Sequence, residues 1–220
     1  MLEVMVVIPT RNRVEKLLRM LHSLPKEPWL TAVVIADGCE TTFEHMSNMH
    51  SADFGFNFVL LSTPTQKGSA FCRNMVASTC SGDYLYATDD ITFMEGAIQQ
   101  ARSALYAKFP DTDGVIGFTQ EGNNFHPTGV ALVGHKFLQR YPAQKLFLPQ
   151  YFHFCCQEVH ELAVKYKKFF LIPEVGVFHF HPQHHGGMDQ THIDGRKHKA
   201  TDFALRKRRK QDGTIWGDKK

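Results

Sequence analysis

The chain has no apolar run long enough to cross a bilayer: its longest, around residues 4–9 and 169–173, fall far short of the roughly 20 residues a spanning helix requires. Its start shows no basic flank leading into an apolar core, so no secretory signal is expected. Cysteine is scarce. The five present include the adjacent pair Cys155 and Cys156 and follow no framework spacing, which argues against a disulfide-stapled fold and for reduced thiols in a cytoplasmic setting. Adjacent cysteines also miss the Cys-x2-Cys spacing of structural zinc sites, so a zinc cage from His153, Cys155, Cys156 and His160 is disfavoured. No internal repeat and no long linker divides the chain.

What is present is ordinary in bulk and uneven in detail. At 220 residues, 43% of them hydrophobic and 21% charged, the chain can bury one good-sized core, alone or with a small appendage. The formal charge of +3 hides an asymmetry: residues 195–220 hold ten Lys or Arg against three acids, so the rest of the chain is net negative. Six of the 13 histidines, His179, His181, His184, His185, His192 and His198, fall within twenty residues. Such a cluster is either a metal-binding neighbourhood or a polar surface loop, and composition alone favours the loop.

Periodicity supplies the organisation. A buried strand is predicted over 3–9, then a Thr10-Arg11-Asn12-Arg13 turn, then an amphipathic helix carried by Val14, Leu17, Leu18, Leu21 and Leu24. Further strands are expected over 32–36, 56–61 and 84–88, with helices over 42–49, 68–80 and 97–109 between and after them. This alternation implies an α/β fold, a single mostly parallel central sheet flanked by helices. Later strands are expected over 114–119, 129–133, 169–172 and 175–180 as a short antiparallel C-terminal addition, with helices over 156–167 and 201–210, the last capped by Thr201.

Chemistry concentrates at strand ends. Asp89 and Asp90 follow the fourth strand, where open α/β sheets bind ligands, and two adjacent carboxylates repel unless a cation or proton offsets them. They could equally cap the next turn. Asp37 before Gly38 is either a turn former or a ligand contact. Lys67-Gly68-Ser69 opens a helix whose free N–H groups could cradle phosphate, or is an ordinary helix start.

Taken in order, VVIPTRNR, VVIADG, KGSAFCRN and YLYATDDI, followed by QEVHELAVKY and FFLIPEVGVFHFHP, resemble the family 2 glycosyltransferases of GT-A fold, over about residues 4–182. The resemblance implies a nucleotide-sugar-dependent, metal-assisted transferase. It divides the chain into a domain over 1–194, with a donor half at 1–92 and an acceptor half at 93–194, and a basic tail at 195–220. Thr10 and Arg11 would line the nucleotide pocket, Asp37 would accept from the base, UDP being the expected nucleotide, and Lys67, Gly68 and Arg73 would lie by the ribose and phosphates. The Asp-x-Asp motif is incomplete, because Thr88 stands at its first position. Asp89 would face the ribose or a metal-bound water, while Asp90 would bind Mn2+ or Mg2+ together with His179, or with His181 as alternate ligand. The usual catalytic base aligns with Val159, which leaves Glu158 as first candidate and Glu161 and His160 behind it.

The acceptor is left open. A glycan or lipid-linked acceptor, with the tail peripheral to a membrane, is the first expectation; the alternative is a hydroxylated base in DNA gripped by the tail. Two other classes compete, a non-catalytic nucleic-acid-binding protein and a nucleotidyltransferase. The second would want glycines directly after the first strand, which PTRNRVEKLL lacks.

Overall fold

The computed structural model describes residues 3–121, 126–153, 156–180 and 188–218. One eight-stranded sheet organises them, in the order β3-β2-β1-β4-β7-β6-β8-β5. β1 (Val4–Thr10), β2 (Leu30–Asp37), β3 (Asn57–Thr63) and β4 (Asp83–Tyr86) run parallel to one another. β7 (Ala131–Val133) reverses between β4 and β6 (Val115–Glu121). β8 (Phe169–His179) lies parallel to β6, and β5 (Ile91–Phe93) closes that edge antiparallel to β8. The sheet is therefore mostly parallel and flanked by helices, as expected.

The layering follows from composition. β1 and β2 are near-continuous runs of Val, Ile and Ala, almost wholly buried, which is how strands covered on both faces read. On one face α1 (Val14–His22) turns Leu17, Met20 and Leu21 inward, and α5 (Ala97–Lys108) contributes Ile98, Ala101 and Leu105. On the other face α4 (Ser69–Ala77) packs Ala70, Cys72 and Val76 beside α7 (Cys156–Lys165), which adds Val159, Leu162 and Ala163. The short helices α2 (Glu40–Met46), α3 (Ser51–Phe54) and α6 (His135–Leu138) complete the connections.

Three expectations are corrected here. The strands predicted over 169–172 and 175–180 are one strand, β8, whose register against β6 jumps from Ile172 opposite Phe118 to Val175 opposite Thr119. Pro173, with no N–H for the ladder, falls inside that irregularity. β5 is new: its three residues pair Ile91 with His179, which sets His179 beside the acidic pair. Finally, the last helix does not start at Thr201. α8 (Gln190–Gln211) starts eleven residues earlier, because the Asp189 side chain caps it by accepting from the His192 N–H, and Thr201 lies within it. The helix thus crosses residues 194 and 195, where the tail was expected to begin.

Candidate active site

A cavity of about 470 Å³ opens at the C-terminal ends of β1, β2 and β4, within the size range of small-molecule sites. Its floor comes from the sheet, one wall from the start of α4, and its cover from the first half of α8, through Thr191, His192, Arg196 and Lys199. Thr10, Arg11, Asp37, Gly68, Arg73, Asp89, Asp90 and His179 all line it, so residues up to 169 positions apart in sequence share one cavity.

The side of the cavity at the end of β2 is held by a network of hydrogen bonds. Asp37 Oδ1 accepts from Thr63 Oγ1 at 2.9 Å and from the Lys67 N–H at 2.7 Å, and its Oδ2 accepts from the Gly68 N–H at 2.9 Å. The carboxylate thereby ties the end of β2 to the loop that leads into α4. Lys67 takes part through its backbone, and its side chain is absent from the lining. Gly38 has φ +61°, and a Cβ there would lie 2.2 Å from the Gln66 nitrogen, so only glycine lets the two loops meet. Arg11 donates to the carbonyls of Asp37, at 2.9 Å, and Gly38, and the buried Arg73 donates to the Ala87 carbonyl at 2.8 Å.

The acidic pair has found its cation, and it is Arg13. Its guanidinium lies 2.9 Å from Asp89 Oδ1 and 3.7 Å from Asp90 Oδ2, and it also grips Asp189 at the cap of α8, at 2.7 and 2.9 Å. Thr10 Oγ1 donates to Asp89 at 2.9 Å, and Thr88 Oγ1 donates to Asp90 at 2.6 Å. The two acids then diverge. Burial, opposed by Arg13 and reinforced by the charge of Asp90, pushes the Asp89 carboxyl up. For Asp90 burial acts in the same direction, but hydrogen bonds from His179 and His192 and the charge of Arg13 outweigh it and hold that carboxyl well below the ordinary range. Asp90 is the first of the pair to ionise.

His179 is oriented for ligation. Gln120, buried, donates its Nε2 to the His126 carbonyl, so its Oε1 faces His179 Nδ1 at 3.2 Å. With Nδ1–H given to Gln120, it is Nε2 that points at Asp90 Oδ1, 3.4 Å away, and a cation that displaced the Nε2 proton would meet a lone pair there. A lone pair facing a carboxylate oxygen across a cavity is an arrangement that a divalent cation satisfies. His192 Nε2 approaches the other oxygen, Oδ2, also at 3.4 Å. No group of three or more His, Cys, Asp or Glu forms a metal cage among the described residues. The residues fit a site with Asp90 and His179 as protein ligands and remaining positions open to a phosphate-bearing substrate. His181 lies outside the described residues.

The expected base candidates sit elsewhere. None of Glu158, Glu161 and His160 lines the cavity. Glu158, 3% exposed, accepts from Arg209 Nε at 2.8 Å and Nη2 at 2.9 Å, from Tyr151 Oη at 2.5 Å and from the Trp216 N–H at 2.5 Å. Burial would raise its carboxyl, but these partners keep it low. Glu161 pairs with Arg206, and His160 packs edge-on against Phe169. Glu158 and Glu161, together with Asp202, which accepts from the Phe152 and His153 N–H groups at 3.1 and 2.8 Å, fasten α8 to the body.

Residues outside the expected site also line the cavity, Arg13, His153, His192, Arg196 and Lys199 among them. Arg13 stood in the same turn as Arg11, and His192 stood in the histidine cluster, but nothing in their spacing separated them from neighbours. His153 is the most exposed of the cavity histidines by surface area, yet it sits among the packed walls of the cavity; desolvation there first, then the charge of Arg73, pull its imidazole down to about 4, so it is neutral near pH 7. Across the lining five Arg or Lys, Arg11, Arg13, Arg73, Arg196 and Lys199, face three carboxylates, Asp37, Asp89 and Asp90. The surplus favours an anionic ligand.

No known sequence family matches the chain, nor does any curated protein. Solved structures do match in fold. A mannosyltransferase from Pyrobaculum calidifontis, PcManGT, in complex with GDP-Man and Mn2+, superposes with a TM-score of 0.60 at 14% identity, over 80% of this chain and 56% of that one. TarS from S. aureus, residues 1–349 with UDP-GlcNAc, gives 0.60 at 15% identity over 80% and 58%, and the same region without that ligand gives 0.56 at 14% over 83% and 61%. The chain spans somewhat over half the length of PcManGT and of the 1–349 region of TarS, and about a third of the longer TarS chain. It has a glycosyltransferase fold.

Proposed function

We propose that the protein transfers a sugar, with metal assistance, from a nucleoside-diphosphate sugar, UDP-linked, to an acceptor hydroxyl. The observation that carries this reading is the convergence of Asp90, His179 and a surplus of arginines on one cavity at the sheet's C-terminal edge. PcManGT supports it as a protein of the same fold solved with a nucleotide sugar and Mn2+. In the reaction the acceptor oxygen bonds to the anomeric carbon while the bond from that carbon to the diphosphate breaks. The nucleoside diphosphate leaves with the bonding electrons, and the hydroxyl proton goes to a base.

Each residue then has a task. Thr10, Arg11 and the loops tied by Asp37 shape the nucleotide end, with Gly68 and Ser69 presenting the start of α4 to the phosphates. Arg73 supplies a fixed positive charge beside them. A divalent ion held by Asp90 and His179 would supply Lewis-acid stabilisation of the charge building on the departing diphosphate. Asp89, engaged by Thr10 and Arg13, positions Arg13 rather than a ligand of its own. Because the α7 carboxylates are occupied away from the cavity, the proton acceptor is a group that lines it, and His153 meets that requirement as a neutral imidazole. A bound diphosphate would raise its affinity for a proton towards the working pH.

Thermal unfolding with UDP, UTP or DNA, with and without Mn2+, tests the donor site: stabilisation by UDP that requires Mn2+ is expected. Stabilisation by UTP alone would point to a nucleotidyltransferase instead. A panel of nucleotide sugars read by mass spectrometry, with Asp90→Ala as control, then identifies the sugar.

A further inference from the structure

α8 carries two faces with different work. Asp202, Arg206 and Arg209 turn inward to the clamps already described. At 3.6 residues per turn, Arg196, Lys199, Phe203, Lys207 and Lys210 fall on one stripe about a quarter turn round from that inward face, and all five are exposed. The stripe is cationic at four positions and aromatic at its centre: Phe203 is 44% exposed, with the Lys199 ammonium 5.5 Å from its ring centroid. It extends over roughly 21 Å at about 1.5 Å per residue, and its first two members, Arg196 and Lys199, line the cavity itself. The chain outside 195–220 is net negative, so this charge is localised.

We propose that this stripe docks a single-stranded nucleic acid, whose phosphates meet the lysines and one of whose bases stacks on Phe203, leading the strand into the cavity. A cationic track with a lone exposed ring at its centre is the pattern that binds unpaired strands, because every base offers a π-face whereas a duplex hides it. An anionic membrane would share the charge attraction, but an interfacial helix sets an apolar face into the lipid, and this stripe offers one aromatic among four cations. That the strand is the sugar acceptor rests on the transferase reading above; the docking does not.

Fluorescence anisotropy with a labelled single-stranded DNA oligonucleotide tests it, on the full chain and on Lys207→Gln/Lys210→Gln and Phe203→Ala variants. The lysine pair lies outside the cavity lining, and its exposure makes loss of folding from these changes unexpected. The double lysine variant should reduce the slope of log affinity against log salt by about 1.4, two contacts at roughly 0.7 each. Phe203→Ala should weaken binding about tenfold with the slope unchanged. Parallel UDP stabilisation separates the two readings: its absence with intact DNA binding would remove the transferase reading and leave the docking. The proposal is overturned if the variants bind the strand like the parent, if duplex binds as tightly with no Phe203 effect, or if the same variants lose phosphatidylserine vesicles while no DNA binds.

Discussion

Glu158 and Asp90 are both carboxylates buried beside arginines, and of the two only Asp90 lines the cavity. Glu158 has a short partner on every side, a bidentate Arg209, the Tyr151 hydroxyl and the Trp216 N–H, and it is sealed between α7 and the end of α8. Asp90 has one short partner, Thr88, and three longer approaches, from His179 and His192 at 3.4 Å and Arg13 at 3.7 Å. Burial and a basic neighbour do not distinguish the two. What distinguishes them is remaining capacity: a carboxylate whose lone pairs are all engaged is a clamp, whereas one held at arm's length by imidazoles beside open space can still take a ligand.

The largest test of that contrast is loss of catalysis without loss of fold. Asp90→Ala should lower sugar transfer by roughly 10²–10³-fold, the order seen when a group stabilising transition-state charge is removed, and should abolish the Mn2+ dependence of UDP stabilisation. Glu158→Ala should do the reverse. Breaking a buried pair by removing one partner costs about 3 kcal/mol, which for a chain of this size lowers the melting temperature by roughly 6–12 °C, while the folded fraction still binds UDP and turns over normally. Turnover lost in Glu158→Gln with UDP binding and stability intact would restore it as the base.

How much of this was legible in the sequence depended on the length of the signal. β1, β2 and α1 carry unbroken apolar or 3.6-residue patterns and read directly, and the acids after β4 announced themselves through their position. β5 has three residues, too few for alternation to register, yet it brings His179 to Asp90. β8 read as two strands because Pro173 interrupts the ladder at a bulge. α8 was the deepest concealment. A helix that buries Asp202 and Arg206 through ion pairs and backbone hydrogen bonds shows no apolar stripe, and Gly195 within it reads as a break. For the same reason Glu158 looked catalytic: the arginine that occupies it lies 51 positions away on that helix.

His153 gives a test through pH. Its folded-state affinity for protons, near 4, is below the unfolded value of about 6.5, so between these values the unfolded chain binds more protons and stability falls as pH falls. That contribution is fully present above pH 6.5 and lost on descent towards 4, and because the ring is partly open to solvent it amounts to no more than about 1 kcal/mol. His153→Asn should flatten the dependence of the denaturation midpoint on pH across that window. An unchanged slope would show that the imidazole is not held neutral in the cavity wall.

The smallest effect is expected where α8 is fastened at its other end. Asp189 is held by Arg13 from within and by Lys16 from outside, and the Lys16–Asp189 pair, at 2.7 Å, is about one third exposed on both sides. An exposed pair is worth roughly 0.2–1 kcal/mol, so Lys16→Ala should lower the melting temperature by no more than about 4 °C, much less than Glu158→Ala does at the far clamp. The consequence should instead be local. With one of the two cations gone, the first turn of α8 opens more often, and hydrogen exchange should quicken at the Thr191 and His192 amides while those near Arg206 and Arg209 stay as protected as before. Equal quickening at both ends would mean that α8 moves as one rigid strap, and that the contrast between its open and sealed halves belongs to side chains alone.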